Sequence, residues 1–257
     1  MPAFCLVTDI DGTLIGEETS TRELRGLLLE ERRALEAVGA RQRWVIATGR
    51  SIKSAREVLL ETGFELADFD AFVTSVGAEL YLPGEATPCS TYQARLGAGG
   101  FRRDAVLEAL AACDFLSLQT DEEQAPYKVS YLMPDEPAHR ERLYAALGGL
   151  PFACETIISH DQYLDIGPRP GGKGAAVAHL IERWGLSAPR TIAAGDSRND
   201  TNMLDRHWPA IVVGNGWKEL DFLRARPNVY FAAEKHAAGV LEGLRAFGFL
   251  PNAASRR

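Results

Sequence analysis

Two carboxylates stand two positions apart in Thr8-Asp9-Ile10-Asp11-Gly12-Thr13, directly after the apolar run Phe4-Cys5-Leu6-Val7. Ionised together within about 4–6 Å they repel, so one must be paired with a cation or keep its proton. That inequality suits two jobs, a metal-bound nucleophile and a general acid. Gly12 lets the chain turn sharply there. The plain alternative is an acidic surface turn, since Asp and Gly are common turn residues. Three further constellations follow. Thr48-Gly49-Arg50-Ser51 closes the apolar run Val45-Ile46-Ala47, Lys173 follows a Gly/Pro-rich stretch, and Gly195-Asp196-Ser197-Arg198-Asn199-Asp200 carries two more carboxylates. Thr48 offers a hydroxyl to an anionic oxygen and Gly49 an unobstructed N–H, although Thr48 taken singly reads as the cap of a helix starting at Ile52. Taken singly, Lys173 reads as a solvated lysine, and Asp196 and Asp200 as caps or an acidic loop.

The elements that must position these groups alternate between short β-branched runs and amphipathic segments, the pattern of parallel strands joined by crossover helices. Strands are expected at Phe4 to Thr8, Trp44 to Ala47, Ala71 to Ser75, Thr191 to Ala194, Ala210 to Val213 and Val229 to Phe231. Helices are expected through Leu24, Leu27, Leu28, Leu35 and Val38 (Ser20 and Thr21 capping), at Ile52 to Leu60, Ala175 to Trp184 and Val240 to Phe247. The middle has a different texture. Val129 to Met133 and Ala153 to Ser159 alternate polar and apolar residues, which predicts an antiparallel sheet with one wet face. Helices at Asp104 to Ala112 and Pro137 to Leu147 accompany it, and Pro83-Gly84 and Gly167 to Gly172 read as hinges. The expectation is an α/β fold: a doubly wound, Rossmann-like core at 1–84 and 165–257 with an inserted α+β domain at 85–164. Ligands of such sheets bind at the carboxyl ends of the strands, where the four constellations fall.

Asp9-Ile10-Asp11-Gly12-Thr13 resembles the D-x-D-x-T motif of the haloacid dehalogenase superfamily. Val45 to Ser51 resembles its second motif, Lys173 its third, and Gly195-Asp196-Ser197-Arg198-Asn199-Asp200 the G-D-x-x-N-D form of its fourth. The insertion lies between the second and third, where one branch (IIB) carries its larger α/β cap. The resemblance implies a phosphatase in which Asp9 attacks phosphorus to form an aspartyl-phosphate and Asp11 serves as general acid, then base. It further implies that Mg2+ is held by Asp9, the backbone carbonyl of Asp11, and Asp196, with Asp200 as a further ligand or supporting acceptor. Thr48, Gly49, Lys173 and Asn199 would bind the phosphoryl group. Such chemistry needs charge neutralisation and positioning above all.

Thr74-Ser75-Val76-Gly77-Ala78-Glu79-Leu80-Tyr81 and the segment around Lys128-Val129-Ser130-Tyr131 resemble the sucrose-phosphate phosphatase group of that branch, and mannosylfructose-phosphate phosphatase fits equally. A small-molecule sugar phosphate is the expected partner, with Arg50, Ser75, Gln124, Lys128, Ser130 and Asn215 as its binding candidates. Lys128 and Ser130 alternate on one strand and either face the cleft or occupy a solvated face. The chain departs from that group at Gly12, where Asn is common, and at Arg198, where Gly is usual. A phosphosugar mutase or phosphotransferase, or a non-catalytic sugar-phosphate sensing module, are the competing readings. Gly167 to Gly174 nearly matches a P-loop. However, Gly174 replaces the metal-binding hydroxyl, and Pro168 and Pro170 remove N–H donors from a loop that works by donating them.

Composition sets the remaining limits. The 257 residues carry 28 Lys+Arg against 35 Asp+Glu, a net charge of −7, without a basic block, which argues against nucleic acid as a partner. No apolar run approaches the roughly 18–20 residues needed to cross a bilayer, and the start of the chain lacks a basic leader, so no membrane partner and a cytoplasmic location are expected. Cys5, Cys89, Cys113 and Cys154 are scattered and read as small hydrophobes rather than metal ligands. The oligomeric state is open at this level.

Overall fold

The computed structural model describes residues 4–251. Its larger sheet has seven strands in the order β11-β10-β9-β1-β2-β3-β4. These are β1 (Cys5–Thr8), β2 (Arg43–Ala47), β3 (Ala71–Thr74), β4 (Glu79–Tyr81), β9 (Thr191–Gly195), β10 (Ala210–Val212) and β11 (Val229–Phe231). All neighbours are parallel except β4, which runs antiparallel to β3. Most of these strands are continuous apolar runs because both faces are covered. Leu6, Ile46, Ile192 and Ile211 face α1 (Glu18–Glu36), α2 (Ile52–Glu61) and α8 (His236–Ala246). Their alternate neighbours Val7, Val45, Ala193 and Val212 face α3 (Ser90–Gly97), α6 (Gly172–Trp184) and α7 (Thr201–Leu204). The first strand thus emerges at the centre of the sheet, with its carboxyl end flanked by those of β2 and β9.

The second sheet is antiparallel, in the order β5 (Ser117–Leu118), β6 (Val129–Leu132), β8 (Tyr163–Pro168), β7 (Cys154–Ser159). Val129, Tyr131, Leu164 and Ile166 pack beneath α4 (Arg103–Leu110) and α5 (Pro137–Gly148). Because side chains alternate across a strand, Lys128, Ser130 and Asp165 lie on the other face. That face is turned toward the carboxyl ends of the core strands, where Lys128 and Asp165 share a cavity with Asp9.

Several expectations need correction. Helix α1 is capped by Glu17, whose carboxylate accepts the Thr19 and Ser20 N–H groups, rather than by Ser20 or Thr21. The helix begins at Glu18, ahead of those candidates, so the N–H groups of its first turn that need an acceptor include those of Thr19 and Ser20. Val38 lies beyond the helix and is exposed. Strands β4, β5 and β8 and helix α3 were not expected. Tyr92 and Leu96 of α3 pack in the core cluster, and β8 runs from Tyr163 to Pro168. Gly167 and Pro168, read as hinge, are the end of that strand. The cysteines are free, Cys5 and Cys89 buried and the other two partly so. No helix among the described residues is long and apolar enough to cross a membrane.

Candidate active site

Asp9 leaves the carboxyl end of β1, its N–H bonded to the Ala194 carbonyl of β9 (3.0 Å). Lys173, the second residue of α6, is wholly buried and donates from Nζ to Asp9 Oδ1 (2.7 Å), Asn199 Oδ1 (2.7 Å) and Asp200 Oδ1 (2.6 Å). Three donors of one ammonium are thus matched by three acceptors. Asp200 turns its other oxygen to the backbone N–H groups of Asp196 (3.0 Å) and Ser197 (3.1 Å), which shapes the loop after β9. Thr13 donates its hydroxyl to Asp196 Oδ1 (3.0 Å). Residues more than 160 positions apart in sequence therefore meet in one buried cluster.

The electrostatics of the cluster are unbalanced. Carboxylate oxygens of Asp9, Asp196 and Asp200 lie within 4.8 Å of one another, and a single lysine faces them. Burial raises the Asp9 carboxyl well above the carboxylate range, against the pull of Lys173, and the charges of Asp200 and Asp196 add to the rise. Asp196 is pushed up to about 7 by burial and then by Asp200. Burial works to lower the Lys173 ammonium, but Asp200 and Asp9 outweigh it and hold the proton on. Once ionised, three carboxylates against one ammonium leave two negative charges, an oxygen-only donor set suited to a hard divalent cation. Asp9 and Asp196 each keep an oxygen outside the bonds just described. Asp200 uses both oxygens, so its place is to hold Lys173 and the loop.

A cavity of about 530 Å³ opens above this cluster, lined from the core by Asp9, Asp11, Gly49, Arg50 and Asn199 and from the second sheet by Lys128, His160, Tyr163 and Asp165, among others. Thr48 is buried and accepts the Arg50 N–H (3.2 Å), which leaves its hydroxyl proton to be donated. It is not the cap of α2; Ser51 Oγ takes that role through the Ser54 N–H. Asp11 lines the same cavity as Asp9 and is paired with Arg50. Arg50 grips its two oxygens from Nε and Nη2 at 2.7 Å each and holds Ser54 Oγ through Nη1 (2.8 Å). Arg50, expected to bind substrate, lines the cavity and pairs with the second carboxylate of the acidic turn.

Of the other binding candidates, only Lys128 reaches the cavity. It is buried, with Asp165 Oδ1 at 3.2 Å. Ser130 shares that face, but its hydroxyl is taken by the Glu123 carbonyl and Asp165. The Gln124 amide is likewise spent on the backbone of Gln119 and Ser130. Ser75 bonds to Glu79 (3.2 Å), and Asn215 to the Gly12 carbonyl (2.7 Å). None of these four lines the cavity. Sequence reasoning missed Gln119, His160, Gln162 and Tyr163 on the cavity wall; they belong to β8 and to connecting segments without periodicity. It also left Thr13 out of the site, although the D-x-D-x-T spacing contains it. His160, at the β7–β8 turn, meets the Trp217 ring of the core edge-on at 5.0 Å, which carries the second sheet across the cleft.

The family model for sucrose-6F-phosphate phosphohydrolase matches residues 2–248. A mannosylfructose-phosphate phosphatase of Agrobacterium fabrum is 28% identical over 97% of this chain and 99% of its own length. Sucrose-phosphatase 1 of Nicotiana tabacum is 29% identical over 98% of this chain, which spans 60% of that protein. The sucrose-phosphatase of Synechocystis, solved with sucrose and phosphate, superposes with a TM-score of 0.87 at 26% identity, covering 98% of this chain and 100% of that one. A haloacid dehalogenase subclass IIB sugar phosphatase shares the fold, with a TM-score of 0.69 at 15% identity over 96% of this chain and 100% of the other. The chain belongs to the sucrose-6F-phosphate phosphohydrolase family and is a sugar-phosphate phosphatase.

Proposed function

We propose that the chain hydrolyses the phosphate ester of a disaccharide, of the sucrose 6-phosphate or mannosylfructose-phosphate kind, through an aspartyl-phosphate on Asp9. The observation that carries this reading is the buried Asp9–Lys173–Asp200 cluster opening into a 530 Å³ cavity whose far wall holds a buried lysine, Lys128. Lys173 fixes one oxygen of Asp9, and the other is available for in-line attack on phosphorus. The P–O bond to the sugar breaks, and the leaving oxygen takes a proton from Asp11. To do so Asp11 must leave the Arg50 guanidinium and enter the step carrying a proton taken from solvent, which the later abstraction from water restores. Asp11 then removes a proton from the water that attacks the phosphorus of the aspartyl-phosphate, releasing phosphate and restoring Asp9.

The non-bridging oxygens fall to Lys173, the Thr48 hydroxyl, the Gly49 N–H and the Asn199 amide. Mg2+ fits the two unbalanced negative charges, with Asp9, the Asp11 carbonyl and Asp196 as its holders and Asp200 behind them. When bound, it supplies positive charge beside the transferring phosphoryl group. Lys128, supported by Asp165, is placed to bond sugar hydroxyls.

A phosphate-release screen over sucrose 6-phosphate, mannosylfructose phosphate, trehalose 6-phosphate and hexose phosphates, with and without magnesium, tests the reading. Magnesium-dependent release, greatest for a disaccharide phosphate, is expected. Binding of a sugar phosphate without release from any of them would establish a sensing module instead, and transfer to a second sugar rather than to water a phosphotransferase.

A further inference from the structure

The Gly12 carbonyl, between the acidic pair and Thr13, is gripped from two sides. Asn215 donates to it from Nδ2 at 2.7 Å, and His236 Nδ1 lies 3.0 Å away. A carbonyl oxygen only accepts, so the imidazole carries a proton on Nδ1. His236 is the first residue of α8, where the backbone N–H has no partner within the helix, and Asn215 Oδ1 accepts that N–H at 2.8 Å. The three residues close a ring of hydrogen bonds that ties the loops after β1, β10 and β11. Two further features mark the ring position as built. His236 has a left-handed φ of 50°, and Gly16 lies against the imidazole, where a Cβ would come within 2.3 Å of Nδ1. Neither His236 nor Asn215 lines the catalytic cavity.

We infer that His236 and Asn215 are positioning residues for phosphoryl transfer. They hold the Gly12 carbonyl, and through it the backbone from Asp9 to Thr13, in the register that sets Asp9 against Lys173 and Thr13 against Asp196. The inference rests on the proposed role of Asp9 and Asp11. Neither residue touches the substrate, so their loss acts on the geometry of attack rather than on binding. A misplacement of about 1 Å at the reacting atoms costs on the order of 100-fold in rate.

The test uses His236→Ala, His236→Asn, Asn215→Ala, Gly16→Ala and the double variant Gly16→Ala/His236→Ala. Asparagine sets an amide nitrogen close to the Nδ1 position and tolerates a left-handed φ. Turnover is read with the best sugar phosphate of the screen and with p-nitrophenyl phosphate. Amide hydrogen exchange of the 9–16 segment is read by mass spectrometry, independently of activity. His236→Ala, Asn215→Ala and Gly16→Ala are each expected to lower kcat about 100-fold on both substrates, with KM within about 3-fold and faster exchange in 9–16. His236→Asn should return to within about 3-fold of the unaltered protein. Gly16→Ala should add nothing in the His236→Ala background, where its collision partner is gone.

The inference is overturned if His236→Asn is as impaired as His236→Ala, if Gly16→Ala behaves as the unaltered protein, or if exchange in 9–16 is unchanged in every variant. Should the unaltered protein itself release no phosphate, the phosphatase reading fails, and the exchange pattern still decides the clamp. Should His236→Ala not fold, the Gly16→Ala and His236→Asn pair carries the same contrast.

Discussion

Replacing Lys173 by Met removes an ammonium from a place with no solvent to substitute for it. The side chain is fully buried and donates to Asp9, Asn199 and Asp200 at 2.6–2.7 Å. Methionine fills a similar volume, so the change is chiefly one of charge. Breaking a buried pair by removing one partner costs about 3–5 kcal/mol. For a chain of this size each kcal/mol moves the unfolding midpoint by about 2–4 °C, so a fall on the order of 10 °C is expected near neutral pH.

The sign of the pH dependence follows from what remains. Without Lys173, the only group that pulls it down, the buried Asp9 carboxyl rises still further above its unfolded value. The folded state then binds more protons than the unfolded one, so the variant gains stability as pH falls, and its gap to the unaltered protein narrows. Turnover should fall about 100- to 1000-fold, the typical loss for one preorganised donor at a developing charge. Calorimetry from pH 8 to pH 5 on the metal-free proteins and kcat on the best substrate measure both. A variant that melts within about 1 °C of the unaltered protein and keeps its kcat would refute the assignment of Lys173 as the charge partner of the cluster.

Three other outcomes are expected. Asp11→Asn should lower kcat on the sugar phosphate by about 100- to 10,000-fold, and on p-nitrophenyl phosphate too because Asp11 also activates the water, but it should leave a rapid burst of p-nitrophenol, whose acidic phenol departs without a proton; loss of that burst would remove the general-acid role. Lys128→Ala should raise KM for the sugar phosphate about 10-fold, the worth of one charge-assisted hydrogen bond, and leave p-nitrophenyl phosphate unchanged. The Glu17 carboxyl is pulled down to about 2, first by the Ser20 N–H and also by that of Thr19, from an ordinary value of 4.5. Its stabilisation is therefore complete above pH 4.5 and is lost as pH falls toward 2. Thermal unfolding of Glu17→Ala should lie below that of the unaltered protein at pH 7 and converge with it at the acid end.

What the sequence made legible follows from where local chemistry is decisive. The strands around Leu6, Val45, Ile192 and Ile211 announce themselves because burial on both faces demands unbroken apolar runs. The acidic, threonine, lysine and asparagine constellations were placed together because parallel strands deliver their carboxyl ends to one edge. Strand β8 was missed because Asp165 and Gly167 interrupt it. Asp165 is polar because it faces the cavity, and a Cβ at Gly167 would meet the Tyr127 carbonyl at 3.3 Å; neither belongs to the sheet's apolar side. Side-chain allegiance was the harder part. Ser130, Gln124 and Asn215 have the donors a sugar needs, yet each is consumed by a backbone group that comes near only in the folded chain. Arg50 could not be assigned to Asp11 from spacing alone, since 39 residues separate them.

The nucleophile is the point on which the account turns, and an acid-quenched reaction measures it directly. Protein mixed with 32P-labelled substrate and magnesium, stopped in acid and digested, should carry label on the peptide containing Asp9. The linkage should be stable in acid and labile in base, as an acyl phosphate is, and should be missing in Asp9→Asn along with turnover. Label on a different residue, or full turnover by Asp9→Asn, would contradict it.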